Sequence, residues 1–102
     1  MKPEIRSKLC EMRDSYEGLS YEELLSEDWT DLDPIIIDGT KLYPAVWSQK
    51  LSEGKALLVV QLTKWYFLKM VARTDSIGFT LYENGHKEYV DELWLLNEVG
   101  HP

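Results

Sequence analysis

The sequence has little cysteine, since Cys10 is the only one among 102 residues. A disulfide within the chain is therefore excluded, and so is a zinc cluster built on cysteines. Unpaired thiols are typical of reducing compartments, so we expect a cytoplasmic protein. No histidine lies near Cys10 in the sequence to activate it as a nucleophile, and we expect a partly buried, inert thiol.

Long hydrophobic runs are also lacking. The longest, such as Ala56 to Val60, are far shorter than the roughly 20 apolar residues that cross a bilayer. Residues 1–6 alternate charged and apolar side chains and contain no apolar stretch of the kind a secretory signal needs. We therefore expect neither a membrane segment nor a targeting segment.

Motifs that carry chemistry are absent as well. The chain contains no Gly-rich phosphate loop, no GxSxG, no HExxH and no EF-hand pattern. His86 falls in a predicted turn and His101 is the penultimate residue, so neither is expected to be held as a general base. Paired acids such as Asp31 and Asp33 lack the dense ligand pattern of a cation site. We expect no enzymatic activity, no cofactor and no metal.

Basic residues are missing from one segment. No Lys or Arg occurs from Asp14 to Thr40, a stretch that holds nine acids. Residues 1–38 thus carry eleven acids and four bases, whereas residues 39–102 carry seven of each, so the formal net charge of −7 lies entirely in the first part. Such a segment can attract a basic partner, or it can serve as a solvated surface that keeps a small domain soluble.

The composition is that of one compact domain covering residues 1–102. Hydrophobic residues make up 44% of the chain, and four Trp and six Tyr supply bulky side chains for a core. We predict an acidic helical part over residues 1–38 and a sheet-rich part over residues 55–102. The predicted fold class is α+β, with two or three N-terminal helices packed on a three- to four-stranded antiparallel sheet.

Two helices are predicted near the N-terminus. Apolar residues at helical spacing, a proline in the first turn and a following glycine predict a helix over residues 3–17. These residues are Pro3, Ile5, Leu9, Met12, Tyr16 and Gly18. Ser20-Tyr21-Glu22-Glu23 matches a capping box and predicts a second helix from Ser20 to about Ser26. An acidic loop over residues 27–34 follows, in which Trp29 and Leu32 are expected to contact the core.

Further along the chain, Ile35-Ile36-Ile37 predicts a short strand that ends at the turn Asp38-Gly39. Tyr43, Trp47 and Leu51 are spaced by four, which favours a helix over residues 43–53, although a strand is the alternative. Alternating apolar residues then predict two antiparallel strands, 56–62 and 64–73, joined by a bend at residues 63–64. A helix over residues 64–73 is the alternative.

The C-terminal part is predicted to form a hairpin. Thr74-Asp75-Ser76 suggests a polar turn, and residues 77–82 and 86–90 flank Glu83-Asn84-Gly85, whose Asn-Gly pair is a strong hairpin signal. A two-residue loop would place Phe79 opposite Val90 and Thr80 opposite Tyr89. Residues 92–99 are predicted to form a short helix or a strand.

Two candidate contact surfaces follow. In the first, Asp28, Asp31 and Asp33 would steer a basic protein partner and Trp29 would anchor the contact. The second is the odd-numbered face of the predicted strand 65–73, which is covered by helices or else available to a second copy of the chain or to a single-stranded nucleic acid. The net charge of −7 disfavours nucleic acid. The residues of this second surface are Trp65, Phe67, Lys69, Val71 and Arg73.

The size, acidity and tryptophan content resemble those of small bacterial immunity and antitoxin-type inhibitors, without a shared motif. We therefore expect a small acidic protein-binding domain, an inhibitor or an adaptor. The alternatives are a self-associating structural domain and a domain that binds or converts a small ligand.

Overall fold

The computed structural model describes residues 2–66 and 71–90, without the side chains of Tyr66 and Val71. The predicted element over residues 92–99 lies outside this part of the chain. The helices within it are α1 (Pro3–Asp14) and α2 (Tyr21–Leu25). The strands are β1 (Thr30–Asp31), β2 (Ile35–Ile37), β3 (Thr40–Ser52), β4 (Lys55–Tyr66), β5 (Val71–Tyr82) and β6 (Lys87–Val90).

Sheet dominates the described residues. β3, β4, β5 and β6 pair in chain order, and β1 and β2 pair with different parts of β3 at the opposite edge, so that the sheet has six strands, all antiparallel. The prediction of two or three helices on a three- to four-stranded sheet is therefore wrong. One helix of 12 residues and one of five accompany three strands of 12 or 13 residues.

The predicted helix over residues 43–53 is wrong, because residues 43–52 belong to β3 and Glu53 lies in the turn that follows it. A spacing of four fits alternate positions of a strand as well as one face of a helix. Pro44 is tolerated in β3 because of the side on which its backbone groups lie. Its carbonyl accepts from the Leu32 N–H, and its nitrogen, which has no hydrogen to donate, lies on the same side of the strand. At this point neither β1 nor β2 pairs with β3.

The strand boundaries in the middle of the chain also differ from the prediction. Residues 63–64 continue β4 and residues 74–76 continue β5, so neither the predicted bend nor the predicted polar turn exists. Thr63 and Thr74 pair across the two strands, and their hydroxyl oxygens lie 3.0 Å apart. These polar residues lie in the more exposed half of a long hairpin. They do not require a turn there, because β-branched threonine suits a strand as well.

The C-terminal hairpin is present with a different register. Phe79 lies opposite Tyr89 and Thr80 opposite Glu88, one residue away from the predicted pairs. The loop has three residues: the Gly85 N–H donates to the Tyr82 carbonyl, and Gly85 has a φ of 94°. A turn closed by a residue in the left-handed region is typical of three-residue hairpin loops.

The two N-terminal helices that local signals predicted are both present. α1 starts at Pro3 and ends at Asp14, three residues before the predicted end. At α2 the Ser20 hydroxyl accepts from the Glu23 N–H, and the Glu23 carboxylate accepts from the Ser20 N–H, which completes the capping box. Ile35–Ile37 forms β2 as predicted, and Asp38 and Gly39 both have positive φ, as a two-residue hairpin turn requires.

The sheet has two distinct faces. On the helix face, α1 packs against β4 and β5, and α2 packs against β3 and β4. This face contains the main core, whose fully buried members include Leu9, Leu24 and Phe79. On the opposite face, which we call the Trp47 face, Leu57 and Val59 are buried beside Trp47, Leu51 and Val90. In residues 2–66 and 71–90 there is no helix long and apolar enough to span a membrane.

Candidate functional site

An aromatic groove of about 410 Å³ lies at the edge of the Trp47 face. It is formed where β1 pairs with β3 and β3 pairs with β4, so residues from three separate parts of the sequence meet there. Two exposed tryptophans, Trp29 and Trp65, are among the residues that line it. The lining residues are Trp29, Asp31, Leu32, Tyr43, Pro44, Ala45, Gln61, Thr63 and Trp65.

Trp29 is held in a defined position although its surface is 57% exposed. Its ring stacks on Trp47 with 6.4 Å between ring centroids and 8° between ring planes. Its indole Nε1 donates a hydrogen bond to Oδ1 of Asp31 at 3.0 Å. Trp29 directly precedes β1, and the pairing of Asp31 with Ala45 brings it next to Trp47. Trp29 is therefore an exposed but restrained aromatic side chain.

Trp47 supports the floor of the groove without lining it. Its Nε1 donates to Oε1 of Gln61 at 3.0 Å, and the two residues are diagonal neighbours because Ala45 pairs with Gln61. The Trp47 indole thus stacks on the Trp29 ring and also fixes the orientation of the Gln61 amide. The groove is built on paired strands, which makes its shape more rigid than that of a loop.

The opposite wall comes from Tyr43 and Trp65. Tyr43 pairs with Thr63 across β3 and β4, and Trp65 lies two residues further along β4 on the same face. Trp65 is 44% exposed. The groove therefore offers aromatic surface from both walls and polar groups from Asp31, Gln61 and Thr63 between them.

The first predicted surface is only partly assembled in the groove. Trp29 and Asp31 line it, whereas Asp28 and Asp33 are exposed beside it and do not line it. Trp29 and Leu32, which were expected to contact the core, are both partly exposed, and Trp29 stacks on Trp47, a neighbour of the buried residues on the Trp47 face. Asp28 contributes its backbone carbonyl to a hydrogen bond from the Thr30 hydroxyl.

The second predicted surface is divided between the two faces of the sheet. Residues 65–73 are not one strand, since β4 ends at Tyr66 and β5 begins at Val71. Trp65 pairs with Ala72 and lies on the Trp47 face, whereas Arg73 pairs with Lys64 and lies on the helix face. Phe67 and Lys69 are outside the described residues, as is the side chain of Val71.

Several acids of the N-terminal segment have structural roles. Hydrogen bonds from the Ser20 backbone and hydroxyl lower the pKa of Glu23. Glu17 accepts a hydrogen bond from the Tyr89 hydroxyl, which raises the pKa of that phenol, and its backbone carbonyl accepts from Lys87 Nζ. By contrast, Asp28 and Asp33 are both exposed.

Several residues of this site were not predicted from the sequence, among them Tyr43, Trp47 and Gln61. The first two fell in the segment expected to be a helix, and Gln61 stood alone among apolar neighbours. Alternation is the signal that could have found them, because Tyr43, Ala45 and Trp47 interleave with the buried Leu42 and Val46.

Metal binding finds no support in the described part of the chain. Within residues 2–66 and 71–90, no group of three or more His, Cys, Asp or Glu side chains could hold a metal ion. Cys10 is partly buried against the main core, as predicted.

Comparisons with protein-family models, with curated proteins and with solved structures find no match for this chain.

Proposed function

We propose that this chain is a protein-binding domain that recognises a basic partner through the aromatic groove. The observation that carries the proposal is the convergence of Trp29 and Trp65 in one groove, both strongly exposed, with Asp31 in the same lining and the exposed Asp28 and Asp33 close to it in sequence. Exposed aromatic patches rimmed by polar groups are typical of interaction sites.

Trp29 would be the anchor of the contact. Tryptophan is enriched among the residues that contribute most to binding energy, especially near the centre of an interface. The stack on Trp47 and the hydrogen bond to Asp31 fix the ring before any partner arrives. Less conformational entropy is then lost on binding than for a freely rotating side chain.

The aspartates would supply attraction and selectivity. Asp28, Asp31 and Asp33 are exposed within the segment that contains no Lys or Arg. Their joint field favours encounter with a basic surface and opposes an acidic one. The same charge argues against phosphate backbones as ligands. An inhibitor of a basic enzyme, or an adaptor for a basic protein, fits this combination of anchor and charge.

The experiment is affinity capture from lysate of the parent organism, with the intact chain compared with matched variants. Asp28→Lys/Asp31→Lys/Asp33→Lys should lose the partner and Trp29→Ala should weaken it by about thirtyfold, the effect of losing roughly 2 kcal/mol at an anchor. The charge control is Glu4→Lys/Glu22→Lys/Glu83→Lys, which changes the net charge equally at exposed acids outside the groove.

The aromatic control is Tyr89→Ala, since Tyr89 is 56% exposed but lies on the helix face of β6. Both controls should capture the same basic protein as the intact chain, and moderate salt should release it. Equal capture by all five proteins would contradict the proposal, and so would loss of capture in the charge control.

Self-association through the same groove is the second candidate function. Trp65 and Trp29 leave enough aromatic surface exposed to be buried by a second copy. A two-fold interface would, however, bring the Asp28, Asp31 and Asp33 rims of both copies together, which opposes pairing at low salt. Sedimentation equilibrium at low and high salt distinguishes the candidates, because a dimer that strengthens with salt and is lost in Trp29→Ala would favour self-association.

A further inference from the structure

Among the described residues that line the aromatic groove, one carries a charge, and that charge is negative. Asp31 is exposed, and the other lining residues are aromatic, apolar or neutral polar. Aromatic rings attract cations to their faces, because the π-system is negative above and below the ring plane. A carboxylate beside aromatic rings therefore favours a positively charged group in the groove.

The strand pairing leaves room for such a group. Asp31, Ala45 and Gln61 form one row across β1, β3 and β4, and their side chains point to the same face of the sheet. The backbones of the two outer residues are about 10 Å apart, which is two strand spacings. In this row only the methyl group of Ala45 stands between the carboxylate and the amide, and Ala45 lines the groove.

Asp31 is held where a cation on the Trp29 ring can reach it. Its Oδ1 accepts the hydrogen bond from Trp29 Nε1 at 3.0 Å, which keeps the carboxylate at the edge of that ring. A carboxylate has about four acceptor positions, and this bond uses one of them. A cation in contact with Trp29 is thus attracted by the ring and by the neighbouring negative charge.

Lys41 also contributes to the charge of this region. Its Nζ lies 5.6 Å from the centroid of the Tyr43 ring, a distance typical of a cation–π contact. Lys41 does not line the groove, but its positive charge opposes a second cation at Tyr43. The aromatic surface that suits another cation is therefore that of Trp29 and Trp65, on either side of the groove.

We propose that the groove binds the guanidinium group of an arginine side chain of the basic partner, against Trp29 and Trp65 and hydrogen-bonded to Asp31. This inference rests on the proposed function, because it names the group of the partner that the groove recognises. A guanidinium is planar and weakly hydrated, so it stacks on indole rings, and its five N–H donors suit the oxygens of Asp31 and Gln61. The lysine ammonium is compact and strongly hydrated, so it fits two flat rings less well.

The test uses three capped pentapeptides of the form acetyl-Gly-Gly-Xaa-Gly-Gly-amide, in which Xaa is arginine, lysine or citrulline. Citrulline has nearly the shape of arginine but no charge. In ¹H–¹⁵N NMR spectra of the full chain, the arginine peptide should shift the indole N–H signals of Trp29 and Trp65 saturably, with a dissociation constant on the order of 5 mM. The lysine peptide should bind about threefold more weakly and the citrulline peptide at least about tenfold more weakly.

Variants locate the site. Asp31→Asn keeps an oxygen for the hydrogen bond from Trp29 but removes the charge, and it should weaken binding of the arginine peptide about tenfold. Trp65→Leu should weaken it about fivefold. Lys41→Gln removes the opposing charge and should strengthen it about twofold. Lys8→Gln, which removes the same charge from α1 on the other face of the sheet, should leave it unchanged. Stronger binding by Lys41→Gln is a result that unfolding of a variant does not produce.

Three results would overturn the proposal: equal binding of the arginine and citrulline peptides, a lysine peptide that binds as tightly as the arginine peptide, and no saturable shift with any of them. The capture experiment judges the proposed function separately. A partner that Trp29→Ala loses, together with no arginine binding, would support the protein-binding function and overturn only the assignment to arginine. Arginine binding together with capture that Trp29→Ala leaves unchanged would support the arginine site and contradict the proposed function.

Discussion

Gly78 is the position where a single methyl group should do most damage. It lies in β5 opposite Val59 and is buried in the sheet. A Cβ added there would lie 2.0 Å from the backbone oxygen of Leu58, and ordinary contact begins only at 3.4 Å. Gly78→Ala therefore requires a displacement of about 1.4 Å between two backbones, and no flexible side chain can absorb it.

We expect Gly78→Ala to lower the free energy of unfolding by about 3 kcal/mol or more. Overpacking a core typically costs about 1–3 kcal/mol, and a backbone clash belongs at the upper end of that range. Each ladder hydrogen bond that is lost adds about 1 kcal/mol. For a domain of this size, 3 kcal/mol corresponds to a decrease in Tm of roughly 12–24 °C.

Urea unfolding followed by far-UV circular dichroism measures this loss. Gly18→Ala is the matched control, because Gly18 does not have positive φ and a methyl group added there would have no atom within 4 Å. It should change the free energy of unfolding by less than about 1 kcal/mol, in either direction. A Gly78→Ala protein as stable as this control would refute the close approach of β5 to β4.

Two titrations test the acids of the N-terminal segment. The pKa of Glu23 is lowered from 4.5, so its contribution to stability is complete above pH 4.5 and is lost as pH falls through the lowered value. The difference in the free energy of unfolding between the wild type and Glu23→Gln should therefore shrink below pH 4.5. Urea unfolding at several pH values measures this difference. The pKa of Tyr89 is raised above 10.0, first by its hydrogen bond to Glu17, so Glu17→Ala should return it toward 10.0 in a ¹³C NMR titration, and an unchanged value would contradict that contact.

Local signals correctly predicted where the two N-terminal helices start and one strand-to-strand turn. The Ser20 capping box, Pro3 at a helix start and the Asp38-Gly39 turn each depend on a few neighbouring residues, and the structure confirms all three. The sheet was predicted less well. Tyr43, Trp47 and Leu51 satisfy a helical spacing and a strand alternation equally, and only pairing with β4 decides between them.

The groove depends on the same non-local pairing. Trp29 and Trp65 were each singled out from the sequence, but as members of separate surfaces. They meet because β3 lies between β1 and β4, with Ala45 paired to both Asp31 and Gln61. A shift of one residue in either register would turn a side chain to the other face of the sheet. Register was the information that local patterns lacked, as the hairpin at Gly85 also shows.

The edge of the sheet beside the groove restricts how a partner can bind. β1 has two residues and β2 has three, and Leu32, Asp33 and Pro34 separate them. Short strands, charges and proline all hinder the addition of another strand at an edge. A partner at this edge would therefore gain little from backbone hydrogen bonds and would depend on side chains. Under the proposed function, recognition would then depend on the side chains of Trp29 and its neighbouring aspartates, where substitution should matter most.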